Sequence, residues 1–274
     1  MCSFESANVY LGKTRADNDA RLMSGISASR GRFALNLHRS WTNGELVGFD
    51  LETTGVDPLF ARPVSFAFAT IVGGELVSHR TALIQPGVPI PQEAQAVHGI
   101  SDAMVKKDGL ALDDALNDIL AVLLDASGRA VPLVGMNLSY DLSLIDTLLQ
   151  SRDSSGLRAR GWCGPVLDIA VIDRHLDKWR KGKRKLGDLC HQYNVALDQA
   201  HDALADTAAA VLVLLALAER FPEIREHTPD ALTALQVQWR REWCVDYNAY
   251  LKQNGRPPID ETAGNWPLMS DAIA

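Results

Sequence analysis

Two carboxylates that stand two residues apart, Asp50 and Glu52, could hold a divalent cation. They end the apolar run of residues 46–49 and are followed at once by a Thr-Thr-Gly turn. On a strand, residues i and i+2 project from the same face, so the two carboxylates are expected side by side. Like charges this close repel each other and raise a pKa unless a cation lies between them. Two solvated acids at a strand end are the alternative, and ligands further along the chain decide between the two.

Three more candidate ligands follow, each near the beginning of a helix. Asp141 lies just after the short apolar segment 132–136, and His201 opens an Ala-rich helix in which Asp206 comes five residues later. Taken separately, an acid at a helix start is favoured by the helix dipole, and a histidine there is more often a surface or capping residue. Taken together, these positions indicate a shared site.

Four carboxylates are the ligand set that two hard divalent cations require. They are Asp50, Glu52, Asp141 and Asp206. Mg²⁺ and Mn²⁺ prefer oxygen ligands, and two such ions can activate a water and stabilise the entering and leaving oxygens of phosphoryl transfer. His201, whose ordinary pKa is about 6.5, can take the proton of the attacking water near neutral pH.

Composition limits the class of protein. The 274 residues are 47% hydrophobic and 22% charged, which suits one medium domain with appendages. A net charge of -7 argues against binding of nucleic acid by bulk electrostatics, although not against contact with phosphate through metal and a local basic patch. The four scattered cysteines form no CxxC pair, which favours a reducing cytoplasm.

The chain carries neither a predicted membrane span nor a secretory signal. Its longest apolar run, residues 208–218, is too short for a bilayer and predicts a buried helix. The N-terminus lacks a basic region followed by an apolar core. We therefore expect a cytoplasmic protein with no membrane contact.

The order of elements predicts an α/β domain with a mixed five-stranded sheet flanked by helices. An antiparallel meander is expected over residues 46–52, 63–71 and 75–84, with Gly73-Gly74 as a hairpin turn. Two short parallel strands near residues 132–136 and 165–167 alternate with helices. We predict a loosely ordered extension over residues 1–42, the domain over 43–222, and a C-terminal helix and tail over 223–274.

Two further segments have alternative interpretations. Six of the eight residues 178–185 are basic, which is typical of a solvated loop but, this near the site in sequence, also allows phosphate contact. A helix over residues 232–251 places Trp239, Trp243 and Tyr247 four apart on one side. That stripe is expected to pack against the domain, and it is the candidate for a polymerase-binding tail.

Three segments in order resemble the exonuclease motifs of the DEDDh superfamily. They read Phe-Asp-Leu-Glu-Thr-Thr-Gly (49–55), Asn-Leu-Ser-Tyr-Asp (137–141) and His-Asp-Ala-Leu-Ala-Asp (201–206). The chain is similar to the proofreading epsilon subunit of bacterial DNA polymerase III and to stand-alone actinobacterial relatives. The resemblance implies a ribonuclease H-like fold, 3′→5′ hydrolysis that releases nucleoside 5′-monophosphates, the four acids as metal ligands and His201 as general base.

The same resemblance implies contacts with the substrate. Val97 and His98, in Val-His-Gly-Ile-Ser (97–101), match the segment that touches the terminal nucleotide, Thr53 and Thr54 approach the terminal sugar, and Asn137 approaches the scissile bond. Asp168 matches an acid whose role we expect to be structural. Many relatives carry His where this chain has Met136, which puts one contact behind the metal ligands in doubt.

The first motif favours a single-stranded DNA 3′ end as substrate. Oligoribonucleases typically carry Met at the position of Thr53, and ribonuclease T-like enzymes carry Ala at that of Thr54. RNA stays an alternative, because sugar preference depends on contact with a 2′-OH. A non-catalytic module docked on a polymerase is another alternative, although loss of an acid would mark such a protein. A proofreading role in replication or repair would require a separate polymerase chain as partner.

Overall fold

Five strands form one mixed sheet in the order β3-β2-β1-β4-β5. The structure is a computed structural model and describes residues 40–197, 203–259 and 261–270. The strands are β1 (Glu45–Thr53), β2 (Pro63–Val72), β3 (Glu75–Leu83), β4 (Leu133–Gly135) and β5 (Val166–Asp168). The predicted α/β class and five-stranded mixed sheet are confirmed.

Helices flank the sheet and follow it along the chain. Within the described residues they are α1 (Gln92–His98), α2 (Asp102–Asp108), α3 (Leu112–Gly128), α4 (Leu138–Asp153), α5 (Ile169–Leu176), α6 (Leu186–Gln192), α7 (Ala203–Arg220) and α8 (Pro229–Gln253). Short 3-10 turns occur at Trp41–Asn43, Pro222–Glu226 and Glu261–Gly264.

The first three strands form the predicted antiparallel meander. β1 pairs with β2 and β2 pairs with β3, both antiparallel. Gly73 and Gly74 form the turn between β2 and β3 with φ of 59° and 88°, a conformation that residues with a Cβ adopt only under strain. The Gly-Gly pair therefore acts as the hairpin turn that the sequence indicates.

The other half of the sheet is parallel. Val47 of β1 is in register with Leu133 of β4, and Val134 of β4 with Leu167 of β5. Because parallel strands point the same way, β1, β4 and β5 end at the same edge of the sheet. The segments that follow β4 and β5 therefore begin beside the carboxylates that end β1.

The two faces of β1 are covered by different helices. Val47, Phe49 and Leu51 pack into a core with α3 and α4, and Phe49 stacks on Phe68 with ring centroids 4.6 Å apart. Leu46 packs on the other face, in a core with α5, α6 and α7. Asp50 and Glu52 share the face of Leu46, since side chains alternate along a strand. The α7 face of the sheet is therefore the one that carries the candidate site.

The C-terminal helix α8 packs against the domain. α8 contacts β5 and α5, and Trp239 of α8 stacks on His175 of α5 with ring centroids 4.1 Å apart. Trp243 and Tyr247 stack on each other at 5.0 Å. The expectation that this aromatic stripe packs against the domain is confirmed.

The sequence also led to expectations about the N-terminal residues, the cysteines and membrane spans. Trp41 is buried in the α7-side core, so the folded unit includes it, while the interpretation of residues 1–39 falls outside the described residues. The three described cysteines, Cys163, Cys190 and Cys244, are free thiols. None of the helices in the described ranges combines the length and apolar character that crossing a membrane requires.

Candidate active site

A missing side chain on β1 brings α7 close to the candidate carboxylates. A Cβ on Gly48 would lie 2.7 Å from the Thr207 Cγ2 atom and 2.9 Å from the Thr207 carbonyl oxygen. Contacts this short do not occur, so only glycine allows α7 to approach β1 at this point. Asp206, next to Thr207, thereby comes within electrostatic range of Asp50 and Glu52.

Burial and mutual repulsion raise the pKa values of the two carboxylates on β1. The pKa of Glu52 rises from its ordinary 4.5 to about 7, chiefly because burial penalises the charged form and then because Asp206 repels it. The pKa of Asp50 is raised well above its usual range by burial, followed by repulsion from Glu52 and Asp206. Strand β1 and helix α7 therefore place three acids within electrostatic range of one another, and their role as metal ligands stays a prediction.

Asp141 joins the same group from α4. Its Oδ1 atom accepts a hydrogen bond of 3.2 Å from the backbone N–H of Leu51, between the two carboxylates of β1. Burial, and then repulsion from Asp50, raises the pKa of Asp141. The first turn of α4 thus holds its carboxylate against the end of β1.

Asp168 fixes the turn that leads into α4. Its carboxylate accepts hydrogen bonds of 3.0 Å from the N–H groups of both Asn137 and Leu138, and 2.9 Å from that of Ala170. Asn137 has the left-handed φ of 59° that this turn requires. The structural role expected for Asp168 is confirmed.

The described carboxylates repel one another without forming a closed ligand cluster. Across residues 40–197, 203–259 and 261–270, no three His, Cys, Asp or Glu side chains converge closely enough to hold one metal ion. His201 lies outside the described residues, as does Asp202. The donor set nevertheless fits a hard divalent cation, because it consists of carboxylate oxygens whose mutual repulsion such a cation would offset.

Thr53, the last residue of β1, and Thr54 bind within the loop that follows the strand. Thr53 Oγ1 donates to the carbonyl oxygen of Gly55 at 2.9 Å and lies 2.8 Å from the hydroxyl of Tyr140, which also donates to Gly55. Thr54 Oγ1 accepts from the N–H of Arg62 at 2.9 Å. These contacts fix the loop beside the carboxylates, and the predicted contact of both threonines with a sugar stays a prediction.

A cavity of about 320 Å³ opens beside Glu52 and holds His98. His98 is buried, and its Nδ1 atom accepts a hydrogen bond of 3.0 Å from the N–H of Ile100. Ala203 and Leu204, at the start of α7, line the same cavity. Val97 is 58% exposed on the adjoining surface. The structure therefore brings His98 to the candidate site, with Val97 at its exterior.

Asn137 lines a second cavity, of about 190 Å³, together with Tyr140 and Asp168. Arg240 of α8 and Trp266 complete part of its wall. The second sequence motif therefore faces two ways, because Asp141 points to β1 while Asn137 points towards the C-terminal segment.

The basic segment 178–185 is only partly available for phosphate contact. Arg180 donates two hydrogen bonds to Asp173, at 2.8 and 3.0 Å, and Arg184 also pairs with this fully buried carboxylate. Tyr193 donates to Asp173 at 2.7 Å. Because a buried acid holds Arg180 and Arg184, they are not the freely solvated loop residues that the composition of this segment would suggest. The exposed Lys181 and Lys183 remain as candidates.

Comparison with known proteins shows the family. The profile of the RNase_T family, described as exonuclease, matches residues 47–214, a span that contains all three motif segments. The chain belongs to this exonuclease family. The resemblance to DEDD exonucleases is thereby confirmed. The assignment to the histidine-type branch depends on His201 and stays a prediction.

Relatives of this exonuclease domain occur within longer proteins. The chain is 27% identical over 179 residues to the DNA polymerase III PolC-type of Lacticaseibacillus paracasei, covering 65% of this chain and 12% of that protein. The chain thus matches only a small part of that relative.

Solved structures share the fold. Exonuclease I from Methylocaldum szegediense superposes with a TM-score of 0.53 at 21% identity, over 72% of this chain and 43% of that one. Exonuclease I of E. coli, in complex with a dA16 oligonucleotide, superposes with a TM-score of 0.58 at 17% identity, over 66% and 42% of the two chains. These likenesses confirm the ribonuclease H-like fold.

Two residues beside the site are not among the site residues predicted from the sequence. Tyr140 contacts the loop after β1. It lies in the second motif, between the predicted site residues Asn137 and Asp141. Arg240 reaches the second cavity from α8, whose sequence shows only an aromatic stripe. The motif could have suggested Tyr140, whereas nothing local points to Arg240.

Proposed function

We propose that this exonuclease hydrolyses the terminal phosphodiester of single-stranded DNA in the 3′→5′ direction with two divalent cations, Mg²⁺ or Mn²⁺. One observation supports the proposal above all. Four acids from three separate motifs lie at one edge of the sheet, and burial and mutual repulsion raise the pKa values of three of them, Asp50, Glu52 and Asp141. Such an arrangement is costly unless cations bind, so the site is suited to metal-assisted hydrolysis.

Each residue has a distinct part in the proposed mechanism. Asp50, Glu52, Asp141 and Asp206 would hold the cations. When bound, two divalent cations activate water and stabilise the entering and leaving oxygens. His201 would accept the proton of the attacking water, since a histidine titrates near neutral pH. The cavity of Glu52 and His98 would receive the terminal nucleotide, with Thr53 and Thr54 near its sugar and Asn137 near the scissile bond.

The direct test is hydrolysis of a 5′-labelled single strand. With Mg²⁺ or Mn²⁺ we expect stepwise shortening from the 3′ end, and none in EDTA. A matched RNA strand, tested in parallel, separates DNA from RNA preference. Shortening that persists in EDTA would contradict the metal mechanism.

Two substitutions separate metal binding from proton transfer. Asp206→Asn should abolish hydrolysis, because it removes a charged ligand. It should keep the fold, because asparagine has the same shape as aspartate. His201→Ala should lower kcat by about 10²–10⁴-fold and shift the pH profile. Unchanged turnover in His201→Ala would remove that residue from the base role.

A polymerase partner is a second part of the proposal, supported by the PolC-type relatives. In the relative from Lacticaseibacillus paracasei the similar region is a small part of a longer chain, and we propose that this exonuclease likewise works together with a polymerase. Copurification with a replicative polymerase subunit of the same organism tests this association. Full activity of the isolated chain on single strands, with no polymerase bound, would favour an independent role.

A further inference from the structure

A third cavity adjoins the one that Asn137 lines. It has a volume of about 50 Å³ and lies between α5 and α8. Val171 and Arg240 line both cavities, so the two are neighbours. Arg240 therefore borders both the cavity of the second motif and the space between α5 and α8. We call this third cavity the α5–α8 pocket.

Two guanidinium groups dominate the wall of the α5–α8 pocket. Arg174 and Arg240 each lie over the ring of Trp243, with Cζ 4.8 Å from the ring centroid in both cases. Among the described residues neither arginine has a carboxylate within salt-bridge distance, and Arg240 donates instead to the Ala263 carbonyl oxygen at 2.8 Å. Burial, and then repulsion by Arg240, lowers the pKa of Arg174. Two neighbouring guanidinium groups that form no ion pair have donors available to an anion.

Four further charged or titratable groups line the pocket. They are Lys178, His175 and two acids, Glu242 and Asp246. Lys178 pairs with Asp246 at 2.7 Å, which offsets that acid. Glu242 accepts a hydrogen bond from Gln238 at 2.8 Å. Asp168 lies within electrostatic range of both Arg174 and Arg240, yet among the described residues neither guanidinium group forms an ion pair with an acid.

An exposed aromatic ring lies beside Lys178, one of the residues that line the pocket. Trp179, next to Lys178, is 86% exposed, and the Lys178 Nζ atom lies 5.3 Å from its ring centroid. Aromatic rings beside cations are the surfaces on which bases of single strands stack. A ring this open contributes little to the fold, so it is available to a ligand.

We propose that the α5–α8 pocket binds a backbone phosphate of the substrate strand, upstream of its 3′ end, with a base stacked on Trp179. Its volume accommodates a group the size of a few water molecules, which suits a phosphate and not a whole nucleotide. The inference rests on the proposed function, because the strand reaches the pocket from the end held at the carboxylates. Helix α8 lies outside residues 47–214, the region that the family profile matches, so its part of the pocket lies beyond that region.

Substrates of two lengths test the pocket separately from the active site. The p-nitrophenyl ester of thymidine 5′-monophosphate reaches the carboxylates alone, whereas a long single strand also reaches the pocket. Arg174→Gln should raise KM for the long strand about tenfold and lower the salt slope of binding by about one. Its kcat and KM for the ester should equal those of the wild type. Arg152→Gln, which removes an exposed arginine paired with Asp113, is the matched control and should change neither.

A second variant keeps the test valid if Arg174→Gln does not fold. Trp179→Ala alters only an exposed ring. It should weaken binding of the long strand in EDTA, measured by fluorescence anisotropy, by about 5- to 150-fold, since stacking contributes about 1–3 kcal/mol per base. Equal anisotropy curves for wild type and Trp179→Ala, or equal KM for wild type and Arg174→Gln, would overturn the proposal. No hydrolysis of the ester by the wild type would instead count against the proposed function, and the anisotropy in EDTA would still test the pocket.

Discussion

At the scale of single residues, the surroundings of buried acids distinguish their roles. Asp168 accepts hydrogen bonds from three backbone N–H groups, which stabilise its charge and fix a turn. Asp50 is surrounded by other acids, Glu52 and Asp206 above all. Backbone donors thus hold Asp168 in its turn, whereas the repulsion around Asp50 is of the kind that a bound cation would relieve.

The raised pKa of Glu52 predicts a pH dependence of stability without metal. A carboxyl group whose pKa rises on folding, here from 4.5 to about 7, stabilises the folded state fully below the unfolded value and loses that contribution as pH rises through the folded value. In EDTA, the free energy of unfolding should therefore decrease as the pH rises from 4.5 to about 7. Urea titrations over this range measure it, and Glu52→Gln should flatten the decline.

The exposed Glu93 provides a control for that experiment, since Glu93→Gln should leave the pH dependence as in the wild type. Adding Mg²⁺ should raise the urea midpoint of unfolding, because the ion binds the charged form of Glu52. The increase should be larger at a pH above the folded pKa of Glu52 than at a pH below it. Parallel slopes for wild type and Glu52→Gln would show that repulsion at this site does not affect stability.

At the scale of elements, the distance between β1 and α7 depends on Gly48. Replacing Gly48 with alanine would place a Cβ 2.9 Å from a backbone oxygen of α7, which cannot rotate away. We expect Gly48→Ala to destabilise the fold by about 1–3 kcal/mol. It should also lower kcat, because α7 carries Asp206. Thermal unfolding and hydrolysis of a labelled strand measure the two effects.

Gly187→Ala is the matched control for this substitution. A Cβ on Gly187, in α6, meets no atom within 4 Å, so alanine there should be neutral or stabilise by about 0.5–1 kcal/mol. A Gly48→Ala variant as stable and active as Gly187→Ala would show that α7 tolerates a wider spacing.

The loop between α5 and α6 is held by one buried acid. Arg180 and Arg184 are 12% and 13% exposed in their side chains, and Asp173 is fully buried between them. Replacing both arginines with glutamine should cost about 3–5 kcal/mol of stability, because it leaves a buried charge unpaired. Replacing Lys181 and Lys183 together removes the same number of charges from exposed positions and should cost almost nothing. Equal unfolding midpoints for the two double variants would contradict this assignment.

At the scale of the whole molecule, α8 completes the outer edge of the sheet. The N–H of Val166 donates to Thr233 Oγ1 at 2.9 Å, and that of Asp168 donates to Gln236 Oε1 at 2.8 Å. Gln236 is fully buried and donates in turn to the Val166 carbonyl oxygen at 2.8 Å. Two side chains of a helix thus replace the hydrogen bonds that a sixth strand would make.

Removing these side chains should destabilise the protein. The double variant Thr233→Val and Gln236→Leu keeps the size of both side chains but leaves buried N–H groups of β5 without acceptors, at about 1–3 kcal/mol each. Urea unfolding measures the loss. Gln238→Leu, on the exposed face of α8, should leave the midpoint almost unchanged, and a similar midpoint for all three proteins would contradict the role of α8.

Local signals predicted most of this fold, and long-range contacts account for what they missed. The meander followed from alternating apolar residues and the Gly73-Gly74 turn, and the carboxylates from motifs at strand and helix ends. Helix α5 ends at Leu176, and beyond it Arg180 and Arg184 turn back to Asp173. No spacing along the chain reveals such a pairing, nor the meeting of Arg174 with Arg240.

The bonds from α8 to β5 also affect how the chain can associate while it folds. A sheet edge with free N–H and C=O groups pairs readily with another chain. Until α8 docks, β5 presents such an edge, whereas afterwards its groups are occupied by Thr233 and Gln236. Aggregation during refolding should therefore decrease as α8 docks, and it should increase steeply with protein concentration when docking is slowed.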